Sequence, residues 1–153
     1  RKRDTSILGS KVKFVTVKES KHIGTMLEGF GANGILVTNR EMTIVDCFDQ
    51  PRYGGDLDDL IKAFANEKWD NERLITYTKA YGNIALTKRL GFLATLFHAD
   101  SLQGFIQYAR KQVNKKYSLI DVGGLDQGEF VNEWKLRLNI KRDNLLQMAQ
   151  SGY

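Results

Sequence analysis

Residues 70–113 read DNERLITYTKAYGNIALTKRLGFLATLFHADSLQGFIQYARKQV, and their pattern of apolar and capping residues determines the central helices. It predicts three consecutive helices, because apolar residues recur every three or four positions and helix-capping residues separate the repeats. Asp70, Asn83 and Asp100 are each expected to cap a helix N-terminus, and Gly82 suits the left-handed residue that ends a helix. The apolar stripes are Leu74, Tyr77 and Tyr81; Leu86, Leu90, Leu93 and Phe97; and Leu102, Phe105, Ile106, Ala109 and Val113.

Two further helices are expected before this stretch. Thr38 and Glu41 have the spacing of a capping box, which predicts a short helix that ends near Asp49. Pro51 stops that helix, since proline has no amide to donate and forces the preceding residue out of helical geometry. Asp56 is expected to cap the next helix. Its apolar stripe is Leu57, Leu60, Ile61 and Phe64.

Short strands are expected on both sides of the helices, because β-branched and aromatic residues cluster there. The glycines of residues 29–34 have G-x-G-x-x-G spacing, but a strand-like run follows them, so they predict a turn between strands rather than a phosphate-binding loop. The expected strands are 11–18, 23–27 and 35–38, followed by a returning hairpin of 117–122 with 134–140.

The fold class is therefore α+β, with short β-strands at the N- and C-terminal ends framing a central bundle of about five helices. With 153 residues, 42% of them hydrophobic, the chain can bury one core, so we expect a single domain over 1–153. Residues 1–10 form a basic leader, and residues 141–153 form a terminal helix or a tail. The chain lacks an initiator methionine, so we expect a piece of a longer protein.

Cysteine and apolar-run content restrict the classes of protein. Cys47 is the single cysteine, which excludes an intrachain disulfide and a cysteine-based zinc site and suits the cytoplasm. No apolar run approaches the roughly 20 residues that span a bilayer, so no membrane association is expected.

The net charge of +5 is distributed unevenly along the sequence. Residues 40–72 contain four basic and nine acidic side chains, whereas residues 73–116 contain eight basic side chains and one acidic one, Asp100. Lys88 should lie opposite the leucine stripe of its helix, which favours an exposed basic surface for RNA or an acidic protein. We expect charge reversal there, as in Lys88→Glu with Lys111→Glu, to leave the fold intact and to impair function more strongly than stability. The predicted interaction surface is Lys79, Lys88, Arg89, Arg110, Lys111, Lys115 and Lys116.

Asp46 and Asp49 lie three residues apart on one helical face, close enough to share a cation or a basic partner. Because Asp46 stands in the most apolar part of its helix, we expect it to form an ion pair within the domain.

Candidates for catalysis are few. Asp121, Glu133 and Lys135 form a D…ExK pattern, which metal-dependent nucleases use to hold a divalent ion. The same residues can equally decorate a strand around an inward-facing tryptophan. His22 and His98 have no partner at metal-ligand spacing. We therefore expect no catalytic site, no metal and no cofactor.

Four segments together resemble the C-terminal domain of AbiEi-family antitoxins. Motif I, residues 40–55 (REMTIVDCFDQPRYGG), resembles the family signature E-x-T-I/L-V-D-C-x-D-x-P…G-G. Motif II, residues 81–93, resembles G-N-x-x-x-x-x-R-L-G-F/Y-L. Motif III is residues 117–121, and motif IV is residues 132–136. The signature residues of motif I are expected to be structural: Asp46, Asp49, Pro51, Gly54 and Gly55.

The resemblance implies a transcriptional regulator of a type IV toxin–antitoxin pair, associated with bacterial abortive infection, that counteracts a nucleotidyltransferase toxin. It implies no catalytic site, and it implies promoter DNA binding through an N-terminal winged helix-turn-helix that this sequence does not contain.

Two alternatives remain. One is a nucleic-acid-binding module that uses the basic helices of 73–116, with strongly salt-dependent binding. The other is a nuclease that uses Asp121, Glu133 and Lys135 with magnesium or manganese.

Overall fold

The computed structural model describes residues 2–150, in which six α-helices lie between the N-terminal and the C-terminal strands and a seventh follows the last strand. The N-terminal strands are β1 (Thr5–Ile7), β2 (Ser10–Val12), β3 (Thr25–Glu28) and β4 (Ile35–Thr38), and the C-terminal strands are β5 (Ser118–Leu119), β6 (Glu129–Val131) and β7 (Leu136–Leu138). The helices are α1 (Arg40–Asp49), α2 (Pro51–Gly54), α3 (Leu57–Asn66), α4 (Asn71–Tyr81), α5 (Ile84–Phe97), α6 (Gln103–Lys111) and α7 (Arg142–Gln150). The α+β class and the central helices are confirmed.

The junction between α4 and α5 forms as predicted. The Asp70 carboxylate accepts a hydrogen bond from the Arg73 amide at 2.9 Å and caps α4. Gly82 ends that helix with φ of 63°, a left-handed conformation that glycine adopts without a Cβ clash. The Asn83 side chain then accepts from the Leu86 amide at 3.3 Å, so α5 starts at once.

The expected capping box of α1 is wrong. Asn39 is the N-cap, and its side chain accepts from the Met42 amide at 2.9 Å. The Thr38 hydroxyl instead contacts the Thr43 hydroxyl. Glu41 is buried, and its carboxylate accepts from the Asp70 amide at 3.2 Å, so it joins α1 to the start of α4.

Two other predicted caps also differ. Asp56 occupies the N-cap position of α3, but its side chain makes no capping hydrogen bond. Asp100 is not the cap of α6, which begins after Leu102. The Asn71 side chain, from the first residue of α4, accepts from the Phe105 amide at 2.8 Å. The Phe105 amide, near the start of α6, therefore finds its hydrogen-bond acceptor in a residue that is distant in the sequence.

The apolar side chains of the helices and the C-terminal strands form one core. Gly91, in the middle of α5, allows a close approach between elements of that core. A Cβ atom on Gly91 would lie 2.5 Å from the Trp134 ring and 2.7 Å from the Ala109 methyl. Non-bonded carbon atoms do not approach each other this closely. The absence of a Cβ atom at Gly91 therefore lets Trp134 and α6 pack directly against α5.

The N-terminal strands form two antiparallel hairpins. The β3–β4 hairpin confirms the strands predicted at 23–27 and 35–38 and the glycine turn between them. The strand predicted at 11–18 is wrong beyond Val12, because β2 pairs only with the unpredicted β1. The rest of that segment passes over α1. Of the predicted basic leader, Arg1 lies outside the described residues.

The C-terminal sheet has the strand order β5-β7-β6. The predicted hairpin of 117–122 with 134–140 is wrong, because β5 pairs with β7 in parallel. The antiparallel partner of β7 is β6, where Phe130 faces Arg137. The predicted terminal helix is present as α7, and residues 151–153 lie outside the described part of the chain.

Candidate functional site

The signature residues of motif I shape the end of α1. Pro51 starts α2 at its first position, where a missing amide costs nothing. A Cβ atom on Gly54 would lie 2.8 Å from the Cys47 Cα, so this glycine packs directly against the α1 backbone. Gly55 has φ of 103°, a conformation that favours glycine. Pro51, Gly54 and Gly55 therefore have a structural role: they determine the course of the backbone at the end of α1.

Asp49 is held by two side chains from elsewhere in the sequence. Lys21 Nζ lies 2.6 Å from Asp49 Oδ2, and Asn83 Nδ2 donates to Oδ1 at 2.8 Å. Only 5% of the Asp49 side chain and 16% of the Lys21 side chain are exposed. Burial alone would raise the pKa of Asp49, but the hydrogen bonds from Lys21 and Asn83, with the Lys21 charge, bring it below its ordinary value. Asp49 therefore stays ionised.

Asp46 accepts a hydrogen bond from the Tyr81 hydroxyl, not the ion pair that the sequence favours. Burial raises the pKa of Asp46 above its ordinary value, the Lys21 charge lowers it in part, and the Asp49 charge raises it further. Lys21 Nζ also lies 4.1 Å from the centre of the Tyr81 ring. We call Lys21, Asp46, Asp49, Tyr81 and Asn83 the polar clamp. It connects the segment before β3, α1 and the α4–α5 junction.

A cavity of about 210 Å³ lies between the clamp and the segment that follows β2. Its lining combines the apolar residues Val15 and Val17 with residues that carry polar side chains. Burial, followed by the Asp46 charge, raises the pKa of the Cys47 thiol, which keeps it in the unreactive protonated form. The lining residues are Val15, Val17, Asp46, Cys47, Gln50, Tyr53 and Gly54.

Lys88 is not part of an exposed surface, although its position on the helix predicts that it is. It is fully buried, and its Nζ donates to the Lys116 carbonyl at 2.5 Å, the Lys135 carbonyl at 3.0 Å and Asn114 Oδ1 at 3.3 Å. The face of α5 opposite the leucine stripe is covered by the C-terminal sheet, which explains the wrong prediction. Burial, with the charges of Arg89 and Lys116, lowers the pKa of Lys88 to about 8.

Arg89 is also internal, with 8% of its surface exposed. Its Nε donates to the Leu119 carbonyl at 2.7 Å. Burial lowers the pKa of Arg89, and the charges of Asp49 and Asp121 oppose that shift. Lys88 and Arg89 therefore fasten β5 and the start of β7 to α5.

The remaining members of the predicted surface are exposed. Arg110 forms an ion pair with Glu133 at 2.6 Å. The exposed set is Lys79, Arg110, Lys111, Lys115 and Lys116, of which the last four follow one another around the end of α6.

The nuclease candidates are not brought into one site. Asp121 Oδ1 accepts from the Gly123 amide at 3.0 Å, Glu133 pairs with Arg110, and Lys135 Nζ donates to Asn132. Trp134 is buried between Glu133 and Lys135, as the alternative interpretation predicts, although in a turn rather than a strand. Within residues 2–150, no group of three or more His, Cys, Asp or Glu side chains is arranged to hold a metal.

Sequence reasoning missed the long-range partners of the clamp. Asn83 was assigned only as a cap, yet it uses its oxygen on Leu86 and its nitrogen on Asp49. A side-chain amide carries both an acceptor and a donor atom. This property of asparagine is the feature of the sequence that could have indicated a second partner for Asn83. Nothing in the sequence pattern indicates that Lys21 reaches Asp49.

No family model matches this chain, and comparisons with curated proteins and with solved structures give no significant match. Among the described helices, none combines the length and apolar character that a membrane crossing requires.

The two aspartates of the clamp should respond to the same substitution to different extents. Asp49→Asn leaves the mostly buried Lys21 ammonium without its counter-ion and should lower the free energy of unfolding by about 2 kcal/mol. Asp46→Asn keeps an acceptor for Tyr81 and removes a charge that burial disfavours, so it should change stability by less than about 1 kcal/mol. Urea unfolding at pH 7 measures both.

The dependence of stability on pH provides a control for the comparison of Asp49→Asn with Asp46→Asn. The folded pKa of Asp49 lies below its ordinary 3.8, so its stabilisation is complete above that pH and is lost as the pH falls through the folded pKa. The gap between the parent and Asp49→Asn should therefore close in acid. Equal urea midpoints for the two variants at pH 7 would contradict the clamp.

Lys88→Met should lower the free energy of unfolding at pH 7 by about 2 kcal/mol, because three partly buried oxygens each lose a hydrogen bond from the ammonium. Lys111→Met, the same change on an exposed residue, should shift it by less than about 0.5 kcal/mol.

Raising the pH should separate these two variants further. The folded chain releases the Lys88 proton near pH 8, whereas the unfolded chain keeps it until about 10.5, so the parent gains stability over Lys88→Met across this window. Unfolding curves at pH 7, 8.5 and 10 test this. A Lys88→Met protein that behaves like Lys111→Met throughout would place Lys88 at the surface.

Proposed function

We propose that this chain is the antitoxin domain of a bacterial transcriptional regulator, similar to the C-terminal domain of AbiEi-family antitoxins. It counteracts a nucleotidyltransferase toxin in the cytoplasm, and it acts by binding rather than by catalysis. Promoter DNA is bound by a winged helix-turn-helix elsewhere in the full protein.

The observation that carries the proposal is that the four motifs of the resemblance contact one another. Motifs I and II meet in the polar clamp, where Tyr81 donates to Asp46 and Asn83 donates to Asp49. These motifs are separated by the 25 residues of 56–80, so their contact is a property of the fold. Their quoted residues thus form a physical unit.

Motif II also contacts motifs III and IV. Arg89 donates to the Leu119 carbonyl in motif III. Gly91 of motif II is packed against Trp134 of motif IV. These signature residues are therefore used inside the protein, as expected for a signature whose residues are structural.

The working surface that remains is the exposed basic end of α6 and the segment after it. Lys111, Lys115 and Lys116 lie there with Arg110, and their charges suit RNA or an acidic protein. Lys88 and Arg89 no longer belong to this surface, so charge reversal at Lys88 would unfold the protein rather than test recognition.

The test is a growth-rescue assay in which the chain is co-expressed with its nucleotidyltransferase toxin. The parent should restore growth, and Lys111→Glu with Lys115→Glu should reduce colony counts at least about tenfold, because attraction to an acidic partner becomes repulsion. Both residues are exposed, so the double variant should melt close to the parent.

The matched control is Lys11→Glu with Lys68→Glu, which changes the net charge equally at exposed positions elsewhere. It should rescue growth like the parent. A parent chain that gives no rescue contradicts the antitoxin proposal. Rescue by both double variants alike contradicts the assignment of the surface.

A further inference from the structure

The outer face of the C-terminal sheet presents aromatic and basic side chains to solvent. Alternation along β7 buries Leu136 and Leu138 and turns Arg137 to the opposite side. The strand register places Phe130 of β6 on one flank of Arg137 and Leu119 of β5 on the other. Tyr117 precedes Leu119 by two residues and therefore shares this face.

Both aromatic rings are exposed and are held in place. Phe130 is 56% exposed and Tyr117 is 37% exposed, and their rings meet edge to face at 4.9 Å between centres. The Arg137 guanidinium lies 4.6 Å from the Phe130 ring, and Lys135 Nζ lies 5.3 Å from the Tyr117 ring. Large rings left in water next to fixed cations are typical of binding surfaces.

A cavity of about 300 Å³ opens beside these rings, which is enough for one nucleobase. Phe130 and Arg137, which carry planar groups, are among its lining residues, as are the polar residues Ser118 and Asp126. The lining residues are Tyr117, Ser118, Leu119, Asp126, Phe130 and Arg137.

The charge around this face is positive. Lys115 and Lys116 precede Tyr117, and Lys135 and Arg137 lie on the face itself. The nearby acids are paired with cations: Asp126 lies 2.7 Å from Arg137, and Glu129 lies 3.6 Å from Arg142. The unbalanced lysines suit a partner that carries phosphates.

We propose that this face binds single-stranded nucleic acid, with a base stacked on Phe130 and Arg137 and with the backbone phosphates near the lysines. Exposed bases stack on aromatic rings and on guanidinium planes, whereas a duplex hides its bases and offers only phosphates. An acidic peptide would use the cations but not the rings. Binding of single-stranded nucleic acid at this face follows from the contacts of the sheet and does not depend on antitoxin activity.

The sheet is fixed from beneath by buried cations. Lys88 binds the Lys116 and Lys135 carbonyls, and Arg89 binds the Leu119 carbonyl. These bonds hold the backbone on both sides of Tyr117 and at the start of β7. The face is therefore ordered before the ligand arrives, which lowers the entropic cost of binding.

Fluorescence anisotropy with labelled 12-nucleotide oligo(U), 12-nucleotide oligo(dT), a 12-base-pair DNA duplex and polyglutamate tests the proposal. Both single strands should bind more tightly than the duplex and polyglutamate, and their affinity should fall with salt. Phe130→Ala should weaken single-strand binding about tenfold through loss of stacking, and Phe130→Trp should retain it. Phe30→Ala, which removes a ring that is 93% exposed on the β3–β4 turn, is the control and should have no effect.

Lys135→Gly provides a second variant that preserves the fold. Lys135 has φ of 47°, which glycine adopts freely, so the cation is removed without backbone strain. It should weaken single-strand binding and reduce the salt dependence by about one phosphate contact. A preference for oligo(U) over oligo(dT) would identify RNA as the ligand.

Three results would overturn the proposal. The first is no binding of either single strand by the parent. The second is equal or tighter binding of the duplex or polyglutamate, which would indicate a duplex or acidic-protein surface. The third is that Phe130→Ala binds like Phe30→Ala while both melt like the parent.

Discussion

The hydrogen bonds from Lys88 to the carbonyls of Lys116 and Lys135 hold the C-terminal sheet in place on the helices. A buried ammonium is costly unless oxygens replace its water, and here two carbonyls and Asn114 do so. The Lys135 carbonyl also accepts from the Ser118 amide at 3.1 Å, so one oxygen joins α5, β5 and the turn before β7. The C-terminal sheet is thereby attached to the helical core, and its other face is left to solvent.

The polar clamp performs the same task at the N-terminal side of the core. Asp49 stays ionised because Lys21 and Asn83 surround it, and the Lys21 stem thereby holds the segment before β3 against α1. Both junctions use charged groups inside the protein, where hydrogen bonds to charged groups are stronger than at the surface. The motifs of the AbiEi resemblance coincide with these two junctions, which is why we interpret them as structural and look for function on the exposed faces.

The sequence predicted the local features of the fold and missed the long-range ones. The caps at Asp70 and Asn83, the end of α4 at Gly82 and the β3–β4 hairpin depend on neighbouring residues, and they were confirmed. Local spacing cannot reveal contacts made by distant residues, so the cap that Asn71 supplies to α6 was missed. Helical periodicity placed Lys88 on a solvent face because it cannot report that a later sheet covers that face. The surface at Phe130 was missed for the same reason, since it exists only once β6 pairs with β7.

Amide hydrogen exchange on Lys88→Met tests the central claim, that this lysine attaches the sheet to the core. Removal of the ammonium should allow the sheet to open locally, since opening free energies differ among the units of a protein. We expect faster exchange at the Ser118 and Ile120 amides, which bond to β7 and the turn before it, with unchanged exchange in α3. Parent-like exchange at Ser118 and Ile120, or equal acceleration throughout the chain, would contradict it.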